Sequence, residues 1–390
     1  MNVFDNQYRT YRIILKILRL WPYDNSIYIW IQRICILMYF LIGIIFQIFM
    51  LVKSEISLRN CIVMLSETFP ILLCFLRYLH CITQFSYTKV LFNDIRTEEH
   101  LLHDSIEKHI QTKYLDISSH IIDIFCWMTF ICIVATTIFT LNPVTLDLIM
   151  PLNKSRIHYM YFKFLSNDRR TYIDVFMVLN LIIILIFGLL SVTCTESLTN
   201  ILSYYICRQF RIVSYRLRKI IEDLSMPNLA KIDLKLRDIH RVVDIHCHAI
   251  EYINVASNNA ASQYLLTVII CILSFSLNFY RLYNAIITMD NPIEILGSAL
   301  IITYHLVIAF YSNHCGQLII DSSLGMFNEL YASTWYRIPL KAQKLLLFII
   351  LRTSMGSELH FSGLFILSYA GFTSMMSSSL SYCAVIYSIQ

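Results

Sequence analysis

Residues 31–52 read IQRICILMYFLIGIIFQIFMLV, a run whose one charge, Arg33, stands near its start. A helix needs about 20 predominantly apolar residues to cross the hydrocarbon layer of a bilayer, and this stretch supplies them. Working outward from it, comparable stretches recur near 60–86 (with Pro70 inside), 119–141, 173–195, 262–283, 293–315 and 359–389. The chain of 390 residues is 57% hydrophobic and 15% charged, where a soluble domain carries about 25% charge. The expected fold is an all-α integral membrane protein with seven transmembrane helices. The opening segment, MNVFDNQYRTYRIILKILRLWPYDNS, lacks the apolar core and small-residue cleavage site of a signal peptide. The 12 cysteines are scattered through apolar runs without CxxC or metal-ligand spacing, so neither a disulfide framework nor a metal site is expected.

Seven crossings put the termini on opposite sides. Lys and Arg gather on the side of the N-terminus, in residues 1–30 (Arg9, Arg12, Lys16, Arg19) and between Arg208 and Arg241. The bias places the N-terminus in the cytoplasm and the C-terminus outside. The chain divides into a cytoplasmic N-terminal segment (1–30), helices one to four (31–202), a cytoplasmic helical extension (203–261), helices five and six (262–315), a cytoplasmic segment (316–358) and a last helix (359–390). The extension reads as helix because Ile232, Leu236, Ile239, Val243 and Ile250 form one apolar stripe, interrupted upstream only at Pro227 and Asn228.

His240, Asp244 and His248 share a helix face, which suits a transition metal. No further ligands complete a shell, and an ordinary polar face is the better reading. Glu67, Arg77, Asp123, Asp174 and Glu196 lie in or beside the apolar stretches and are functional suspects, since charge there is costly. They form no proton relay. No nucleophile elbow, phosphate loop or HExxH occurs, so no enzyme is expected. Aromatic and apolar side chains crowd the outer halves of the stretches: Phe69, Leu72 and Leu73 on the second, Trp127, Phe130 and Val134 on the third, Phe176, Met177 and Asn180 on the fourth, Ile301 and Tyr304 on the sixth. Such a set suits a pocket for a small apolar ligand; plain packing against helices or lipid accounts for any one of them.

Laid on a helix, Ser374, Ser378, Ser381, Val385 and Ser388 form one stripe. Such a stripe either faces water in a pore, with Val385 as an apolar constriction, or packs closely on another helix. One chain gives one wall, so a pore needs several subunits. The C-terminal region around it, ELYASTWYRIPLKAQKLLLFIILRTSMGSELHFSGLFILSYAGFTSMMSSSLSYCAVI, resembles the signature of insect odorant receptors. The matching residues are Glu329, Tyr331, Trp335, Tyr336, Pro339, Lys344, Arg352, Gly363, Phe365, Phe372, Ser381 and Tyr382.

The resemblance implies a subunit of a tetrameric, ligand-gated, non-selective cation channel in the plasma membrane of a sensory neuron dendrite, partnered by a shared co-receptor in a heterotetramer. It implies that the last helix lines the pore, with Val385 at the constriction and Ser388 and Ile389 one turn further out. It also implies subunit contacts through a cytoplasmic anchor that includes Glu329, Tyr331, Trp335, Tyr336 and Pro339. The related gustatory receptors end in Thr-Tyr, five apolar residues and Gln-Phe. Here Ser381 and Tyr382 are followed by five residues, then Ser388 and Ile389, a pattern closer to an odorant-specific tuning subunit. The co-receptor itself is longer. The alternative classes are a G-protein-coupled or a gustatory-type chemoreceptor. Expected partners are a small apolar or hydrocarbon-like volatile and membrane lipid, with no nucleic acid and no cofactor.

Overall fold

The structure is a computed structural model of the chain, and it describes residues 7–24, 26–53, 58–102, 104–149, 170–225, 232–288 and 292–388. The described residues form ten α-helices: α1 (Arg9–Ile17), α2 (Ile27–Lys53), α3 (Leu58–Thr83), α4 (Phe85–Leu101), α5 (Ser105–Ile149), α6 (Arg170–Ser225), α7 (Ile232–Thr288), α8 (Pro292–Tyr331), α9 (Leu340–Ser354) and α10 (Tyr369–Ser388). Six of them, α2, α3 and α5 to α8, are long and apolar enough to cross a membrane. α10 is long enough, at 20 residues, but its serines and tyrosines keep it out of that set. α3 runs unbroken through Pro70.

α5 to α8 are 45, 56, 57 and 40 residues long. At 1.5 Å per residue each is roughly 60 Å or more, twice a hydrocarbon layer. The surplus lies at the end of the bundle that carries α1, where α4 and α9 also pack. α6 stops at Ser225 and α7 starts at Ile232, on either side of Pro227 and Asn228, which lie outside the described residues.

One large buried cluster fills this end. It joins Tyr11 and Leu18, Phe92 of α4, Phe210, Val213 and Leu217 of α6, Ile239 and Ala249 of α7, Ile319 of α8 and Leu346 of α9. On α7 the buried face is Ile239, Val242, His246, Ala249 and Ile253. The stripe read from the sequence is therefore rotated: Ile239 is on it, but Leu236, Val243 and Ile250 lie at its edge, half-buried.

The last stretch differs from its expected limits. Residues 359–366 do not belong to a helix. β1 (His360–Phe361) pairs antiparallel with β2 (Phe365–Ile366). Ser362 and Gly363 turn the chain at φ 52 and 65, and the Leu364 N–H donates to the Phe361 carbonyl at 3.1 Å. Two successive left-handed residues are what a tight hairpin turn of matching twist requires. α10 begins only after Ser368, whose Oγ accepts the Gly371 N–H at 3.1 Å as an N-cap. α8 fixes this start: Asn313 Oδ1 accepts the Ser368 N–H and Gln317 Oε1 the Tyr369 N–H, each at 3.2 Å.

Candidate functional site

In the half of the bundle away from α1, the helices enclose a cavity of about 210 Å³. Its walls are Leu73 and Cys74 of α3, Cys132, Thr136 and Phe139 of α5, Leu181, Ile184 and Leu185 of α6, Val268 and Cys271 of α7, and Ile301, Tyr304 and Ile308 of α8. Phe365 of the hairpin and Met375 of α10 complete the wall. The wall is overwhelmingly apolar, and its hydroxyls are mostly spent on their own helices. Thr136 donates to the Cys132 carbonyl at 2.7 Å, Thr140 to Thr136 at 2.9 Å and Thr267 to Gln263 at 2.8 Å. His305 Nδ1 lies 2.8 Å from the Ile301 carbonyl. The Tyr304 hydroxyl has no hydrogen-bond partner among the described residues.

Of the ligand-site residues expected from the sequence, Leu73 and Tyr304 line the cavity, and so does Ile301. Phe69 and Leu72 sit behind the wall, half-buried beside Leu73, Leu76 and Ile270. Asn180 is engaged elsewhere, accepting the Tyr39 hydroxyl at 2.6 Å and tying α6 to α2. The side chains of Phe176 and Met177 lie outside the described residues. Trp127, Phe130 and Val134 point away, exposed by 67%, 57% and 40% on the outer surface of α5. The face of α5 that meets the cavity carries Cys132, Ala135, Thr136, Phe139 and Thr140. The correction has a physical cause. A membrane helix is apolar toward lipid and toward its neighbours alike, so hydrophobicity does not mark the inward face.

Charged groups bracket the cavity. Arg77 and Glu196 form an ion pair of 3.0 Å, and Ser312 Oγ donates to Glu196 at 2.5 Å. On the other side Arg281 meets Glu67 and Glu294, each at 3.1 Å, with Arg281 and Glu67 both 3% exposed. Three suspects from the sequence thus belong to one ion pair and one three-residue cluster. Arg281 was not among them, because its partner on α3 is far away along the chain. Asp174's side chain lies outside the described residues. His240, Asp244 and His248 are exposed, and among the described residues no three His, Cys, Asp or Glu gather for a metal.

α10 presents two faces. Met375 and Ser379 are buried against the bundle, with Phe372, Met376, Cys383 and Ile386 packed beside neighbouring clusters. Ser276 Oγ of α7 donates to the Ser379 carbonyl at 3.0 Å, a close approach that small residues permit. The other face carries Ser374, Ser381, Val385 and Ser388, all exposed, with Ser378 half-buried at its margin. The Ser378 hydroxyl donates to the Ser374 carbonyl at 2.9 Å and Ser388 to Val385 at 2.8 Å, leaving their oxygen lone pairs outward. Ile389 lies outside the described residues.

At the α1 end Glu329, itself exposed, is engaged by its own chain: Ser214 Oγ donates to it at 2.6 Å and Arg211 pairs with it. Trp335 is half-buried against the large cluster, and Pro339, also half-buried, precedes the first turn of α9. Tyr331 and Tyr336 are exposed by 64% and 58%. Beside them α9 leaves Leu340, Leu347, Phe348 and Leu351 uncovered.

The family model described as 7tm odorant receptor matches residues 57–380. Two of the solved structures that share the fold are of one receptor. The insect olfactory receptor OR5 from Machilis hrabei in complex with eugenol aligns at TM-score 0.76 and 12% identity, covering 99% of this chain and 100% of that one. The structure titled for OR5 alone aligns at TM-score 0.74 and 12% identity, with the same coverage. At that identity the likeness is one of fold. No curated protein matches the sequence.

Proposed function

Since the chain belongs to the 7tm odorant receptor family, we propose that it is an odorant-specific tuning subunit whose ligand occupies the cavity between α3, α5, α6, α7 and α8 and opens a non-selective cation pore. The observation that carries this reading is the part of the cavity wall supplied from outside the five long helices. Phe365 and Met375 belong to the hairpin and to α10, the helix with the unpartnered serine and valine face. A ligand that fills the cavity therefore presses on the element assigned to the pore. A cavity of about 150 Å³ accepts benzene, so about 210 Å³ suits a somewhat larger volatile. The OR5 structure with eugenol supports a site of that scale in this fold.

In this reading the α1 end is cytoplasmic and the C-terminus extracellular, in the plasma membrane of a sensory dendrite. Four subunits, some of them co-receptor, surround the pore. Ser374, Ser378, Ser381, Val385, Ser388 and Ile389 line one wall of it, and Tyr331, Tyr336 and the open face of α9 meet neighbouring subunits. Glu329 stands at that surface, and the half-buried Trp335 and Pro339 shape it from behind.

Recording from cells that express the chain with and without co-receptor tests the proposal. Odorant-evoked cation current is expected only with both, with reversal potential independent of the odorant. A G-protein response with no current, or a tag after Gln390 reached only in permeabilised cells, overturns it.

A further inference from the structure

α1 has an inner and an outer face, and the outer one is unlike any other surface described here. Inside, Tyr11, Ile14 and Leu15 are buried, with Tyr8 and Leu18 flanking them. The Tyr8 hydroxyl donates to Ser118 Oγ at 2.9 Å, and the Tyr11 hydroxyl to the Cys194 carbonyl at 3.2 Å. These contacts set the height of α1. Ser118 directly precedes the apolar run of α5 that starts at 119, and Cys194 sits where the apolar run of α6 ends, near 195. α1 therefore lies across the bundle where both neighbours change from apolar to polar sequence, which is the level of a lipid headgroup layer.

Outside, Ile13 and Ile17 are 50% and 52% exposed. Arg9, Lys16 and Arg19 stand exposed around them, and Arg12 lies half-buried over the Trp21 ring at 5.1 Å. None of these four cations takes part in an ion pair among the described residues, and α1 itself carries no acid. Asp116 of α5, on this side, accepts from Gln7 at 2.6 Å. The face runs on into the start of α2, where Ile27, Tyr28, Trp30 and Ile31 are exposed. Arg33 Nε of α2 joins the two by donating to the Arg19 carbonyl at 2.7 Å.

We propose that α1 is a docking site for anionic phospholipid, with Ile13 and Ile17 set among the upper acyl carbons and Arg9, Arg12, Lys16 and Arg19 on the headgroup phosphates and carboxylates. An interfacial helix of this kind combines an apolar edge with flanking basic side chains. A zwitterionic lipid satisfies the isoleucines, but its phosphate is already balanced by its own ammonium and brings no net charge to offset four cations, whereas each Lys or Arg gains near an anionic surface. The site is independent of the odorant cavity.

The test uses the purified full-length protein in detergent micelles doped with phosphatidylserine or phosphatidylcholine, with retained lipid counted by native mass spectrometry. The wild type is expected to retain phosphatidylserine preferentially, and to lose it as salt rises while phosphatidylcholine is unaffected. Replacing Arg9, Lys16 and Arg19 together by Gln is expected to cut phosphatidylserine retention at least about tenfold; replacing Arg9 and Arg19 by Lys is expected to keep it. Equal retention of both lipids by the wild type, or no effect of salt, overturns the proposal even if the triple variant does not fold. So does an efficient disulfide between subunits formed by Ile17→Cys in the assembled channel, which would give this face to a neighbouring subunit.

Discussion

Phe210 and Tyr304 stand on packed neighbours, α6 and α8, and live in different kinds of interior. Phe210 is 1% exposed inside a single cluster that runs from α1 through to α9. Tyr304 borders a cavity whose wall draws on separate small groups, such as Leu73, Leu76 and Ile270 or Phe125, Val192 and Ile308, and only in part, through Ile71, Leu181 and Ile184, on the large cluster. The contrast teaches where this molecule keeps its rigidity. At the α1 end, outside the apolar stretches, burying carbon removes it from water and the whole hydrophobic gain applies. Within a bilayer the alternative to protein contact is lipid contact, so a hollow there forfeits only packing. The hollow end is therefore cheap to keep hollow, provided the other end holds the helices together.

The hardest blow to that division is Phe210→Ala. Truncating a fully buried Phe costs about 3–5 kcal/mol, and the variant should lose monodisperse, heat-resistant protein in detergent and most surface expression. A variant as stable as the wild type would mean that the large cluster is not what holds the helices. Next comes Glu196→Gln, which leaves Arg77 buried without its counter-charge. Breaking one partner of a buried pair costs about 3–5 kcal/mol, while exchanging both for apolar residues is often near neutral. The double change Arg77→Met with Glu196→Leu should thus recover much of the melting temperature lost by the single one. If the double variant is as crippled as the single, the pair has a role beyond its own neutrality.

Smaller effects sharpen the picture at the cavity. Leu73→Ala trims a wall that already faces open space, so stability should change little while odorant dose–response shifts. Tyr304→Phe removes one donor. A hydrogen bond is worth about 0.5–1.5 kcal/mol net, up to roughly tenfold in potency. That loss should appear for ligands carrying an oxygen acceptor and be missing for hydrocarbon isosteres. Equal loss for both classes would show that Tyr304 acts by shape. The smallest effect belongs to the α1 end. Hydrogen bonds from Lys219 at 2.9 Å, from the Ile106 N–H and from Tyr215 hold the Asp104 carboxyl down at about 2. A depressed carboxyl stabilises fully above its ordinary value near 4 and stops doing so only as pH falls through about 2. The clasp therefore contributes equally at pH 7 and pH 5, so melting curves should show no pH-dependent change from it over that range, and the cost of Asp104→Asn should be the same at both.

The sequence made some of this plain and hid the rest for identifiable reasons. Unbroken apolar runs announce the crossing helices because length alone suffices. The serines of α10 announce a distinct face because hydroxyls stand out against aliphatic neighbours, and Ser374, Ser381, Val385 and Ser388 do share an exposed side. Trp127, Phe130 and Val134 misled because lipid selects the same side chains as a pocket does. The Arg77–Glu196 and Arg281–Glu67 pairs join residues too distant along the chain for any spacing rule. The hairpin at 360–366 leaves no mark in the sequence pattern because two-residue strands carry no periodicity, and Ser362 and Gly363 alone mark its turn.

That hairpin gives the molecule a fulcrum. A methyl group on Gly316 of α8 would collide with the Leu367 backbone, and one on Gly371 of α10 would collide with the Ile366 carbonyl. With Asn313 and Gln317 also gripping Ser368 and Tyr369, the root of α10 is clasped by backbone hydrogen bonds, while its far end rests on α7 through the side chains of Cys383, Ile386 and Tyr387. A rod held at its foot converts small rotations into large sweeps. Val385 lies 16 residues, about 24 Å, beyond Tyr369, so a tilt of about 10° at the clasp carries it roughly 4 Å sideways. On the proposed reading, displacing Phe365 or Met375 by a fraction of that distance, close to the foot, is leverage enough to move the Val385 face at the tip.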